Sequence, residues 1–251
     1  MDLQLAGKKA LVTGSTKGLG RAIAETFLDE GMAVAICART AEDVEQAVKE
    51  LSSRGTVVGA AVNAADAASL RGFVATSIDQ LGGLDVYVHN TSGKPGKTME
   101  AWQNNMDIDL MALINGVEEA KAALSDGGGS LISIGTSATS EHFASGSNSY
   151  SALKAAMVQW TLGQAQVLGA QGVRCNVVSP GPIFVEGGDW DRVRSARPEF
   201  YEASERAHPQ GHLGVPQDVA DAVVFLASPR ARHINGVNLT VDGGFLKRVD
   251  Y

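Results

Sequence analysis

Seven short apolar runs are spaced along the chain, at 9–13, 33–37, 56–61, 85–89, 130–135, 173–178 and 237–241. Between them lie segments with apolar residues at helical spacing, near 19–30, 41–53, 66–81, 100–124, 149–170 and 216–227. Short runs that are apolar on both faces suit strands covered by helices on each side. Strict alternation of strand and helix predicts an α/β fold, a doubly wound parallel sheet of about seven strands. Punctuation agrees: Gly31 follows the first helix, and Asp66 is placed to cap the third. No repeat and no linker divides the chain, so residues 1–251 read as a single domain. One long segment, 180–216, is rich in Gly, Pro, charge and aromatics and has no clear period. It reads as a lid or binding loop, about 183–212, or as a plain surface excursion.

Composition narrows the function. Of 251 residues, 44% are hydrophobic, enough for a sizeable core and against wholesale disorder. Asp and Glu number 28 against 21 Lys and Arg, a net charge of −7. That balance argues against a broad nucleic-acid or anionic-membrane surface. Cys37 and Cys175 both fall in strand-like runs, without disulfide or zinc spacing, and are expected as buried thiols. No 18-residue apolar stretch and no basic-then-apolar N-terminus is visible. The expectation is a soluble, cytoplasmic protein with no bound metal.

The first strand runs into Gly14-Ser15-Thr16-Lys17-Gly18-Leu19-Gly20, and a helix follows. Glycines allow a tight turn and close approach of backbone to a pyrophosphate, and the helix N-terminus offers free N–H groups to it. The placement between first strand and first helix gives the motif its weight. The second strand ends in Ala38-Arg39, where an acidic group would bind ribose hydroxyls. An arginine there suits a 2′-phosphate, and Lys17 adds a second positive charge. NADP(H) is therefore expected over NAD(H), which stays open as the alternative.

Ser149-Tyr150-Ser-Ala-Leu-Lys154 opens a helix, and residues four apart share one face. A phenol titrates near ~10, and a nearby ammonium favours phenolate, bringing it towards the working range. Upstream, Ser130-Leu-Ile-Ser-Ile-Gly-Thr136-Ser137 reads as a strand ending in hydroxyls. Either Ser137 or Thr136 could hold a substrate oxygen beside Tyr150.

Taken together, these motifs resemble the short-chain dehydrogenase/reductases, and the resemblance covers essentially the whole chain. It is carried by Thr13-Gly14-x-x-x-Gly18-x-Gly20, by Tyr150-x-x-x-Lys154 and by Arg174-Cys-Asn176-Val-Val-Ser-Pro180-Gly181-Pro182-Ile183. His212 to Ala220, Phe225 to Ser228 and Asn235 to Gly244 continue it. The resemblance implies a Rossmann-type fold, Tyr150 as general acid/base, and Lys154 as the residue that binds the nicotinamide ribose and lowers the tyrosine pKa. It implies Ser137 as the carbonyl-orienting hydroxyl, with Thr136 in reserve. It places Asn63, Asn90, Pro180, Gly181 and Ile183 along the cofactor with the glycine turn.

The pattern is broken in places. The family's usual Asn-Asn-Ala-Gly is here His89-Asn90-Thr91-Ser92. Asp109 stands where the family has an asparagine that holds a proton-relaying water. It could accept a hydrogen bond from that water and adds negative charge near Lys154. Asp109 is either a tolerated variation or part of an altered relay. Asn63 replaces an adenine-contacting Asp, and Val185 a carboxamide-contacting Thr.

The expected substrate wall combines His142 and Phe143 with Phe184 to His212, including Trp190, Arg192, Arg194, Arg197, Phe200 and Tyr201. The arginines could meet a carboxylate or balance Glu186, Asp189 and Asp191 on a solvated lid. Lys94 and Lys97 hint at an anionic substrate. The C-terminal motifs look closest to members that reduce 3-oxoacyl thioesters. The leading expectation is an NADP(H)-dependent enzyme interconverting a secondary alcohol and a ketone. The alternatives are an NAD(H) enzyme and a cofactor-binding sensor without turnover. The resemblance also implies a homotetramer, or a dimer, pairing through 100–124 and 149–170.

Overall fold

The computed structural model describes residues 1–141, 146–247 and 249. Seven strands form one parallel sheet in the order β3-β2-β1-β4-β5-β6-β7. They are β1 (Lys9–Val12), β2 (Ala33–Ala38), β3 (Val57–Ala61), β4 (Val86–His89), β5 (Ser130–Ile134), β6 (Arg174–Pro180) and β7 (Asn238–Val241). Every residue of β4 and β5 is buried, as strands covered on both faces must be.

The first helices are α1 (Gly18–Asp29), α2 (Ala41–Leu51) and α3 (Ala67–Leu81). The chain continues with α4 (Met99–Asn105), α5 (Ala112–Ser125) and α6 (Ser149–Leu168). The last are α7 (Asp189–Ala196), α8 (Pro198–Ala207) and α9 (Pro216–Ala227).

Two cores sandwich the sheet. On one face Ile23 and Phe27 of α1 and Val223 and Val224 of α9 pack on Val12, Val34 and Ile134. On the other, Leu70 and Val74 of α3, Leu113 and Val117 of α5 and Met157 of α6 pack on Leu11, Tyr87 and Leu131. Each such side chain gains about 1.5–3 kcal/mol from leaving water, so these stripes hold the layers together.

Polar groups fix the ends. The Asp66 carboxylate accepts from the N–H groups of Ala68 (2.9 Å) and Ser69 (3.3 Å), capping α3 as predicted. Arg174 closes α9 by donating to the carbonyls of Leu226 (2.6 Å) and Ala227 (3.0 Å). Strand β1 lies between β2 and β4, where the crossovers diverge, so a crevice opens at the carboxyl ends of β1 and β4. Cys37 and Cys175 are free and buried, and burial pushes both thiols up to about 12. Among the described residues, no helix is long and apolar enough to cross a membrane.

Two expectations are corrected. The segment 100–124 is not one regular helix, because a π turn, Met106–Met111, separates α4 from α5. One widened turn barely disturbs apolar spacing, so periodicity does not reveal it. The segment 180–216 is not irregular throughout, since it holds α7 and α8. Helix α7 buries none of its residues and so shows no apolar stripe. These helices join through their aromatics: Trp190 stacks on Phe200 with centroids 6.0 Å apart, and Phe184 meets the edge of Tyr201. Arg192 and Arg194 pair with Asp189 (2.7 Å) and Asp191 (2.6 Å), so these arginines are balanced by carboxylates of their own helix.

Candidate active site

The glycine turn explains its own composition. Gly14 and Gly18 have φ of +63° and +59°, the left-handed region. A Cβ on Gly20 would stand 2.3 Å from the Gly14 carbonyl oxygen and 2.5 Å from Asn90 Nδ2. Ser15 turns inward. Its hydroxyl donates to the Val12 carbonyl (2.6 Å) and accepts from the Cys37 N–H (3.2 Å), while its own N–H donates to Cys37 (2.9 Å). Both its hydroxyl and its N–H are thus used within the turn that they shape. Asn90 is a brace as well: its Nδ2 donates to the carbonyls of Thr13 (3.0 Å) and Gly14 (2.9 Å).

Outside this brace, Thr16 and Leu19 are half-buried, and Leu19 lines the cleft. Lys17 and Arg39 are exposed and make no ion pair among the described residues. Asn63 is exposed, with its Oδ1 accepting from the Ala65 N–H (3.2 Å).

From this turn a cavity of about 860 Å³ runs across the ends of the central strands to the lid. Its walls include Asn90, Ile134, Thr136, Ser137, Tyr150, Lys154, Pro180, Gly181 and Ile183. A Cβ on Gly181 would meet Asp242 Cβ at 2.6 Å, so the chain is bare there because another segment crosses it. Arg174 and Asn176, in the same motif, serve the fold: Asn176 bonds the Ile234 carbonyl and the Val237 N–H.

The far wall is Trp190, Phe200, Ala203, Ala207 and Phe245. Phe245 was not anticipated. It follows Asp242, whose carboxylate accepts from the N–H groups of Gly244 (3.0 Å) and Leu246 (2.9 Å), and it packs on the His208 ring at 4.6 Å. Its signal was an aromatic directly after Asp-Gly-Gly. His142 and Phe143 lie outside the described residues.

Asn148 caps α6, accepting from the Ser151 N–H (3.0 Å), and so starts the helix that presents Tyr150 and Lys154 to the cavity. Thr136 and Ser137 line the same wall as the Tyr150 phenol. Burial, above all, pushes the phenol above its ordinary value; Thr136 opposes this, and Asp109 and Asp189 reinforce it. The expected lowering by Lys154 is absent because that charge is committed elsewhere. Lys154 is 1% exposed, with its Nζ 3.2 Å from Asp109 Oδ1 and 2.8 Å from the Ile134 carbonyl oxygen. Burial lowers the Lys154 pKa, and Asp109 works against that.

Asp109, on the π turn, is fully buried. Its Oδ2 accepts from the Gly93 N–H (3.1 Å) and Asn105 Nδ2 (2.6 Å); its Oδ1 accepts from the Ser92 hydroxyl (2.7 Å) and faces Lys154. The contact expected through a water is thus direct. His89 lies against this cluster and is fully buried. Burial first, and the Lys154 charge second, lower its pKa to about 3 and keep it neutral. The two departures at 89–92 and 109, separate in sequence, meet in one place.

A family model described as Enoyl-(Acyl carrier protein) reductase matches residues 14–246. Isoepoxydon dehydrogenase of Aspergillus clavatus is 36% identical over 247 residues, covering 96% of this chain and 95% of that protein. L-Sorbose reductase from Gluconobacter frateurii, in complex with NADPH and L-sorbose, superposes with a TM-score of 0.90 at 26% identity, covering 99% of this chain and all of the other. A 7α-hydroxysteroid dehydrogenase in complex with NADH and 7-oxo glycochenodeoxycholic acid gives 0.90 at 27% identity, covering 99% and 98%. The glycine cradle and the long cavity fit a nicotinamide dinucleotide of either kind. Matched along its length and carrying the tyrosine–lysine pair on the cavity wall, the chain belongs to the short-chain dehydrogenase/reductase family of oxidoreductases.

Proposed function

We propose that the protein interconverts a secondary alcohol and a ketone with NADP(H), using Tyr150 as the acid/base. The observation that carries this is Tyr150 on the cavity wall beside Thr136 and Ser137, with Lys154 one helical turn away. Tyr150 stays protonated at neutral pH, the form that gives its proton to a developing alkoxide in ketone reduction. Thr136, with Ser137 beside it, orients the carbonyl oxygen towards that phenol. Lys154, Pro180, Gly181 and Ile183 would hold the nicotinamide end, Thr16 to Gly20 the phosphates, and Asn63 the adenine side. A nicotinamide bound there supplies or accepts the hydride. The apolar lid wall excludes water from the reacting carbon.

The preference for NADP(H) rests on Lys17 and Arg39, exposed beside the turn, which suit a 2′-phosphate. The substrate is a small ketone or alcohol with an apolar body, matched to Trp190, Phe200 and Phe245. A homotetramer, or a dimer, in a reducing cytoplasm completes the proposal, supported by the exposed apolar Met111 and Val167 and by the two free thiols.

Fluorescence titration with NADPH and NADH tests the cofactor, with tighter NADPH binding expected. Turnover of a ketone panel, lost by about 10²–10⁴-fold in Tyr150→Phe while NADPH still binds, tests the chemistry. Equal turnover by Tyr150→Phe would reject it.

A further inference from the structure

Lys154 lines the cavity wall yet is 1% exposed, and the groups around its ammonium differ in whether they can carry a proton to water. The Ile134 carbonyl can only accept, and burial keeps the His89 ring neutral. Asp109 is different because its two oxygens have separate duties. Oδ2 is taken up by the Gly93 and Asn105 donors, and Asn105 in turn accepts from Ser149 (2.6 Å), so this half ties the 93–96 loop to α4 and α6. Oδ1 is shared between Lys154 at 3.2 Å and the Ser92 hydroxyl at 2.7 Å. Ser92 is exposed and lines the cavity. One carboxylate oxygen therefore bridges a fully buried amine and a hydroxyl in contact with solvent.

We propose that Lys154 exchanges protons with bulk water through Asp109 Oδ1 and the Ser92 hydroxyl. Going outward, an N–H bond of Lys154 breaks as an O–H bond forms on Asp109 Oδ1. The Ser92 hydroxyl, which donates to Oδ1, turns towards a water; the Asp109 proton then passes to Ser92 Oγ as the Ser92 O–H bond breaks and its proton leaves to that water. The net change is one proton moved from Lys154 to solvent, with every group in the path restored. The inward sequence is the reverse. Burial helps the outward transfer, because it weakens the hold of Lys154 on its proton, and the Asp109 charge favours the return. Ser92 and Asp109 act through Lys154 and not on the substrate. The proposal rests on Tyr150 and Lys154 being the acid/base pair.

The test uses the full-length protein with ¹⁵N-labelled lysine. Exchange of the Lys154 ammonium with water is measured by NMR, and Lys154→Met identifies the signal. Ser92 has an ordinary negative φ, so alanine fits its backbone. Ser92→Ala is expected to slow exchange about tenfold, less than the roughly 10²–10⁴ of a group that transfers a proton to substrate, because water partly substitutes. Ser92→Thr, which keeps the hydroxyl, is expected to restore it. Unchanged exchange in Ser92→Ala overturns the proposal. So does slowed exchange that Ser92→Thr fails to restore, since the effect would then be one of packing. Turnover of the ketone panel by the unmodified protein is the separate control: its failure rejects the alcohol–ketone reading and leaves the exchange result standing.

Discussion

The two sides of the cleft hold their positive charges on opposite terms. Lys17 and Arg39, beside the glycine turn, are exposed and make no ion pair among the described residues. Lys154, at the other end, is buried and lies against a buried carboxylate. The first pair can attract an anion at a distance and costs the fold nothing. The second is expensive to break, because removing either partner strands a charge in a low-dielectric interior. Stability should therefore respond to changes at one end and affinity to changes at the other.

Lys154→Met breaks this comparison most severely. It strands Asp109, so a loss of about 3–5 kcal/mol in unfolding free energy is expected in urea titration, together with loss of turnover. A midpoint like that of the unmodified protein would mean that the buried pair contributes nothing to the fold. Asp109→Asn sharpens the same point. Burial remains the main cause of the raised Tyr150 pKa, but the Asp109 charge adds to it, so its removal should shift the phenol titration, followed at 295 nm, to lower pH.

Arg39→Ala is the counterpart on the exposed side. It should weaken NADPH about tenfold, the effect of one charge-assisted contact of about 1.4 kcal/mol, and leave thermal stability unchanged. Raising salt from about 0.1 M to 1 M, where the screening length falls from ~10 to ~3 Å, should imitate this loss without disturbing the Lys154–Asp109 pair.

On the buried side, His89 ties stability to acid. Its pKa is depressed in the folded chain to about 3, chiefly by burial, against an ordinary value near 6.5. Below that ordinary value the unfolded chain takes up a proton that the folded chain refuses. The contribution to stability is present above pH ~6.5 and is lost as pH falls towards the folded pKa, at up to about 1.4 kcal/mol per unit. His89→Asn should flatten melting temperature against pH between about 7 and 5. An unchanged acid slope would place the sensitivity elsewhere.

What the sequence disclosed divides along the same line. The glycine turn and the Tyr150–Lys154 pair are local: a strand, a few residues and a helix carry the whole message. The Asp66 cap was legible for the same reason. The direct Lys154–Asp109 contact depends on a π turn packing against a helix that begins about forty residues later, and no spacing encodes it. Ser15 and Asn90 sit in the right motifs, yet their donors are used within the protein, which only coordinates can reveal. Thr136 and Ser137 could not be ranked from strand parity, because a 3-10 turn, Ser137–Ser140, begins between them. Phe245 enters the cavity from the far end of the chain.

The two cysteines have a practical use. With both thiols buried and held almost entirely protonated near neutrality, maleimides and iodoacetamides find no competing thiolate on the native surface. A cysteine introduced at the exposed Glu199, in the first turn of α8, would take up a fluorophore without any need to remove the native ones. The dye's emission would then report whether a ligand entering the cavity changes the surroundings of α8.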